Sequence, residues 1–214
     1  TPNPVSNPVE MDEQLANVLV KLRNDAQYPN MFKAAFGSDE INTARFLQAM
    51  SQFMNMLVSA NSRYDKYVRN EGGTLSSDEL AGKSLFEQKC SACHATDLFT
   101  DRSFHNNGIQ TTITDSGRFA ITADPVDIGK FKTPTLRNLA KTAPYMHNGS
   151  LATLESVLNY YATGVHTSAT LDTLLNKNGV VGIPMTAEEK TKIIAFLLTL
   201  TDDDFLRDTR FAEQ

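Results

Sequence analysis

The chain opens with a stretch rich in Pro and Asn, residues 1–9, which predicts irregular backbone. Apolar positions then fall into helical order. Leu15, Val18, Leu19 and Leu22 recur at i, i+3, i+4 and i+7 and predict a helix over about 11–24. Leu47, Met50, Met54 and Leu57 predict a second helix over about 42–59, with that stripe turned inward. Its methionines, Met50, Met54 and Met56, read as core filling rather than a ligand row, because a flexible thioether fills gaps between helices. Glu71-Gly72-Gly73-Thr74 breaks the pattern and is the expected domain boundary. Ser77 then caps a predicted helix from Asp78 to about Lys89, on which Leu80, Ser84 and Leu85 share a face.

Residues 96–132 read as loop, punctuated by Asn106-Asn107-Gly108, Asp115-Ser116-Gly117 and Asp124-Pro125. Loops of this length inside a compact domain often carry function. Thr153 caps the next helix, with Glu155 in its first turn where the helix dipole favours an anion. Leu154, Val157, Leu158 and Tyr161 form one face, which turns Tyr161 inward and Tyr160 outward. The last helix opens with a capping box from Thr186 to Glu189 and buries Ile193, Ile194, Leu197 and Leu198 on the way to Leu200. Asp202-Asp203-Asp204 opposes the dipole there and reads as a solvated stop. No repeat and no strand series interrupts these helices, so the expected class is all-α.

Onto this frame falls Cys90-Ser91-Ala92-Cys93-His94. Cys-x-x-Cys-His is the attachment signature of a c-type haem. Two thiols one turn apart add across the porphyrin vinyl groups, and the following imidazole reaches the iron. These are the only two cysteines, and His105, His147 and His166 lack metal-ligand spacing, so a four-ligand zinc site is disfavoured. A thioredoxin-like pair needs a strand-to-helix junction and has no use for His94. Covalent haem c is attached outside the cytoplasmic membrane, which predicts a periplasmic protein. The first residues have no charged or apolar leader pattern, and no apolar run approaches the roughly 18 residues of a membrane span. A net charge of −5 argues against nucleic acid as a partner and suits steering toward a basic redox protein.

Two further segments are specific: Phe131-Lys132-Thr133-Pro134-Thr135-Leu136-Arg137-Asn138, and Thr142-Ala143-Pro144-Tyr145-Met146-His147-Asn148-Gly149. With the haem motif, with Gly82-Lys83-Ser84-Leu85-Phe86 before it, and with Ala195 to Thr201 at the end, they resemble the bacterial di-haem cytochrome c peroxidase family, which includes MauG. Asn7-Pro8-Val9-Glu10-Met11 resembles part of that family's other haem domain. The family pattern has two Cys-x-x-Cys-His motifs where this chain has one, and a tryptophan between the haems where this chain has no Trp. The resemblance therefore implies a fragment whose peroxidatic haem lies upstream. Residues 1–70 would be remnant helices of a truncated first cytochrome c-like domain. Residues 75–201 would be a class I cytochrome c-like haem domain, and 202–214 a tail folding back on the first.

The resemblance also implies roles. His94 is the fifth iron ligand. The peroxidases carry a Met as sixth ligand at the position matching Tyr161, and the MauG-like branch carries Tyr. Met146 and Met185 are rivals for that place, and His147 a weaker one. Phe131, Pro134 and Leu136 are expected to line the haem, and Arg137 and Lys132 to pair with its propionates. Glu10 matches the distal glutamate that moves a proton during peroxide reduction. Thr142 and Pro144 match positions whose carbonyls hold a calcium ion. One covalent haem c and a calcium ion are thus the implied cofactors. The implied partners are hydrogen peroxide, a small donor such as a cytochrome c or cupredoxin, and a second copy in a homodimer. The expected function is the electron-transfer domain of a di-haem peroxidase-like oxidoreductase, inactive as a peroxidase by itself. The alternatives are a MauG-like oxidase acting on a partner protein or small substrate, and a mono-haem electron carrier.

Overall fold

A computed structural model describes residues 3–212. The chain forms two compact units, 1–58 and 59–214. In the first, a short turn α1 (Asn3–Ser6) precedes α2 (Leu15–Asn24), α3 (Tyr28–Phe36) and α4 (Thr43–Met56). Gly37 ends α3 in the left-handed conformation, φ 75°, returning its N–H to the Lys33 carbonyl. The Asn42 side chain caps α4 by accepting from the Arg45 N–H. The core is small: Leu19, Phe32 and Ile41, with Leu22, Phe36 and Phe46 packed against it.

The expected inward stripe of α4 is corrected here. Met50 and Met54 are 44% and 52% exposed, and Leu57 is exposed too. Phe46 reaches the core instead, and the face through Met50 and Met54 lies beyond the cluster that α2 and α3 build.

The second unit holds α5 (Arg63–Val68), α6 (Ser77–Lys89), the turn α7 (Phe119–Thr122), α8 (Leu154–Asn159), α9 (Ala187–Leu198) and the turn α10 (Asp203–Leu206). Its strands are two-residue antiparallel ladders, β1 (Phe104–His105) with β2 (Phe131–Lys132), and β3 (Asn176–Lys177) with β4 (Val180–Val181). The protein is all-α in class, as the pattern predicts. The units divide after Val58 rather than at Gly72-Gly73, because Tyr64 of α5 stacks edge-on against Phe99 and Phe196, both at 5.5 Å.

Helices α6 and α9 form the centre of this unit. Ser76, one residue before the expected cap, and Thr186 each close a capping box with the glutamate three residues on. The helices approach so closely that a Cβ on Gly82 would lie 1.9 Å from the Lys192 carbonyl oxygen. Gly82 and Phe86 therefore carry the buried face of α6, whereas Leu80 is exposed. On α9 the buried residues are Ile193, Phe196 and Leu197, and Leu198 faces solvent. Phe86, Phe99, Phe196, Ile193 and Leu200 make the densest part of the core. Each aromatic pair adds about 0.5–1.5 kcal/mol beyond the area it buries.

Asp202 is also not the solvated stop that its neighbours suggest. It is 1% exposed, caps α10, and accepts from the Ser59 hydroxyl (3.1 Å) and the Asn61 N–H (2.9 Å). Its own N–H donates to the Asn138 side-chain oxygen at 2.7 Å.

Candidate functional site: the Cys-x-x-Cys-His turn

Helix α6 ends at Lys89, and Cys90 caps it with its N–H on the Phe86 carbonyl. The N–H groups of Cys93 and His94 return to the Cys90 carbonyl at 3.3 and 3.0 Å, winding the motif into one further turn. Both thiols are free and half-buried. Burial pushes Cys90 up to about 12 and Cys93 up to about 11, where Asp172 and Asp101 add to the effect. A redox-active Cys-x-x-Cys pair is poised by a lowered thiol pKa. These thiols are held the other way, so disulfide exchange does not suit them.

The imidazole of His94 is oriented from outside the turn. Its Nδ1 lies 3.0 Å from the Phe99 carbonyl. Burial pushes its pKa down, against the opposing pull of the Phe99 carbonyl, and favours the neutral ring. A proton on Nδ1 facing Phe99 leaves Nε2 as the free electron pair, the usual arrangement of a ligating histidine.

The segment Thr133 to Arg137 holds the loop that supplies this carbonyl. Thr100 donates to the Thr133 carbonyl (2.7 Å), Thr135 donates to the Leu98 carbonyl (2.6 Å), and Arg137 Nε donates to the Asp97 carbonyl (2.8 Å). Phe99 anchors the same loop in the core. Arg137 does not present its fork to open space: both terminal nitrogens pair with Asp65, at 2.8 and 2.9 Å. Leu136 packs on the core, Pro134 and Lys132 are exposed, and Phe131 stacks on His147 with centroids 3.7 Å apart.

Tyr161 arrives from α8. That helix ends at Asn159 and widens into a π-turn, Tyr160–Gly164. The wider turn frees the Tyr161 carbonyl to accept the Ile183 N–H at 2.7 Å. It also overturns the expectation that Tyr160 faces outward: Tyr160 is 9% exposed and its hydroxyl donates to the Asn107 carbonyl at 2.8 Å. Tyr161 interacts electrostatically with both Cys93 and Cys90, and burial pushes its hydroxyl up in pKa. The Asn107 amide donates to the Tyr161 hydroxyl oxygen and to the Met146 sulfur, each at 3.4 Å. Met185 lies elsewhere, packed on the α6–α9 core.

Three further expected residues carry roles away from this turn in the resemblance. Glu10 is exposed in the first unit, where its carboxylate accepts from Asn7 at 3.3 Å. Thr142 and Pro144 are exposed, and the Thr142 hydroxyl donates to the Leu139 carbonyl. Among the described residues no group of three or more His, Cys, Asp or Glu is arranged to hold a metal ion. Sequence reasoning also missed two features of the site. Asn107 was read only as a turn signal. His105 sits between Asp101 (2.8 Å) and Asp172, and though burial opposes its charge, these two carboxylates hold its pKa above the ordinary value.

The donor set suits a c-type haem: two thiols on one turn, an imidazole with its far nitrogen free, and a tyrosine within electrostatic range of both cysteines. Comparison with known proteins agrees. The family model described as di-haem cytochrome c peroxidase matches residues 1–73. The chain is 35% identical over 207 residues to the cytochrome c551 peroxidase of Nitrosomonas europaea, covering 94% of this chain and 57% of that protein. It is 34% identical over 201 residues to the methylamine utilization protein MauG of Methylorubrum extorquens, covering 92% and 56%. The chain thus spans a little over half the length of these relatives. A crystal structure of a MauG-like protein associated with microbial copper homeostasis superposes with a TM-score of 0.84 at 35% identity, over 99% of this chain and 70% of that one. The diheme peroxidase BthA of Burkholderia thailandensis shares the fold, with a TM-score of 0.71 over 95% of this chain and 63% of that one, at 22% identity. From the haem-attachment turn, the segments that hold it and these likenesses together, the chain belongs to the di-haem cytochrome c peroxidase family that includes MauG.

Proposed function

We propose that residues 59–214 are the electron-transfer haem domain of a di-haem peroxidase-like oxidoreductase, and that residues 1–58 belong to its peroxidatic domain. One observation carries this reading: the Phe99 carbonyl orients His94, and Tyr161 lies within electrostatic range of both thiols of the same turn. When bound, haem c supplies a one-electron couple. Cys90 and Cys93 tether it, His94 offers Nε2 and Tyr161 its oxygen, and Phe131, Leu136 and the α6–α9 core exclude water. Calcium on the Thr142 and Pro144 carbonyls belongs to the whole protein in this reading, as does Glu10 as a proton carrier.

The whole protein takes electrons from a small donor such as a cytochrome c or cupredoxin. It reduces hydrogen peroxide with two electrons and two protons to two waters. Covalent haem attachment would imply a periplasmic protein; no described helix is long and apolar enough to cross a membrane. A MauG-like oxidase is the second reading, favoured by Tyr161, since a hard phenolate stabilises ferric or higher iron and a thioether favours ferrous. Intact mass of the protein from a host that matures c-type cytochromes tests the first reading. The expected mass is polypeptide plus one haem, and the bare polypeptide mass would overturn it.

A further inference from the structure

Asn107 lies in the loop before α7, and its backbone and side chain are both held by hydrogen bonds. Its carbonyl accepts the Tyr160 hydroxyl at 2.8 Å. Its side-chain oxygen accepts the Ile109 N–H at 3.2 Å, which fixes the direction of the carboxamide. Gly108 follows at φ 75°, so close to the next strand of chain that a Cβ would lie 2.5 Å from the His166 carbonyl oxygen. With backbone and amide both fixed, the two N–H bonds of Nδ2 face Tyr161 Oη and Met146 Sδ, each 3.4 Å away. Both acceptors are half-buried, and they are a hard and a soft ligand type held on one nitrogen.

We propose that Asn107 is a positioning residue that selects the axial ligand of the haem, favouring Tyr161 and holding Met146 beside it as the replacement. The inference rests on the haem reading above, with Tyr161 as ligand. The physical reason is an asymmetry between the two acceptors. An amide N–H strengthens markedly when its acceptor carries negative charge, which phenolate oxygen does and thioether sulfur does not. Removing the donor withdraws that preference and leaves Met146 next in reach.

The test uses the haem-loaded chain and reads ferric absorption and reduction potential. The unchanged protein should show tyrosinate ligation. Asn107→Leu should lower the ratio of Tyr- to Met-ligated protein at least about tenfold, with a sulfur-to-iron charge-transfer band appearing and the potential rising. Asn107→Gln, which keeps the donor, should restore most of the original spectrum, and Met146→Leu added to Asn107→Leu should abolish the sulfur band. Should Asn107→Leu fail to mature, Tyr161→Phe provides the second arm: the sulfur band should appear there and vanish in Tyr161→Phe/Met146→Leu. An unchanged spectrum and potential in Asn107→Leu, or no sulfur band in Tyr161→Phe, overturns the selection by Asn107. Absence of tyrosinate ligation in the unchanged protein sinks instead the ligand reading on which it rests.

Discussion

Arg137 and Asp65 meet side by side through two parallel hydrogen bonds, 2.8 and 2.9 Å, with their side chains only 9% and 7% exposed. The third nitrogen of the same guanidinium holds the Asp97 carbonyl, two residues before the carbonyl that orients His94. One ion pair therefore connects α5 to the loop that sets the histidine. Burial alone would raise the Asp65 pKa, but the Arg137 and Ser62 hydrogen bonds prevail and hold it below the ordinary value.

Asp65→Asn should destabilise the protein by about 3–5 kcal/mol, the cost of leaving a buried charge without its partner. Urea unfolding midpoints measure it. Replacing both residues with apolar ones should recover much of the loss, and a double variant as unstable as Asp65→Asn would contradict this account. Because the folded pKa of Asp65 is lowered, its contribution is present above the unfolded value and is lost as the pH falls through the folded one.

Gly82→Ala should be destabilising although alanine is the better helix former by about 1 kcal/mol. The new Cβ would meet the Lys192 carbonyl, which is backbone and cannot rotate away. Overpacking of this kind costs about 1–3 kcal/mol or more, and the thermal midpoint should fall. A rise would show that α6 and α9 separate without cost.

His105 should make stability depend on pH. Its folded pKa is raised, so its contribution is complete below the unfolded value near 6.5 and disappears as the pH rises through the folded value. The stability difference between the unchanged protein and His105→Asn should then be larger at mildly acidic pH than in alkaline buffer. Equal differences across that window would mean that Asp101 and Asp172 do not hold a charged imidazole.

Tyr161→Phe keeps the ring and removes the oxygen. The reduction potential of the haem-loaded protein should rise, because ferric iron loses more than ferrous iron does when an anionic ligand leaves; about 60 mV corresponds to tenfold in a one-electron equilibrium. A silent substitution in a potentiometric titration would remove Tyr161 from the site.

Peroxide turnover by this chain should be negligible, because it carries one Cys-x-x-Cys-His motif and the proposed reading gives that haem to electron transfer rather than to peroxide. Steady-state assays with a reduced cytochrome as donor measure it, and rates like those of a full-length relative would refute the division of labour.

The helices that frame the motif were legible because capping boxes and 3.6-residue periodicity act locally. Thr186 and the stripe through Ile193 and Leu197 needed nothing beyond their own neighbours, whereas the cap of α6 falls at Ser76, one residue before the expected Ser77. The cysteines and His94 were legible because the attachment chemistry fixes their spacing. Tyr160 was misplaced because a π-turn shifts the register by one residue, and nothing in Tyr160-Tyr161-Ala162-Thr163-Gly164 announces that. Asn107 was hidden because its partners, Tyr161 and Met146, are 54 and 39 residues away and meet it in irregular chain. The α4 stripe had the right period, but burial also requires a neighbour to pack against.

Asp202 has a topological consequence. Its carboxylate gathers Ser59 and Asn61 from 143 and 141 residues upstream, so the two ends of the second unit are clasped at one buried atom. The unit is effectively a ring whose seam is polar. Such a ring can be opened elsewhere: joining residue 59 to the segment after Asp202 by a short linker, and cutting in the exposed turn at Asn178-Gly179, should give a circular permutant with the same core and the same haem-attachment turn. The order in which this unit is synthesised would then be separable from the structure that its contacts define.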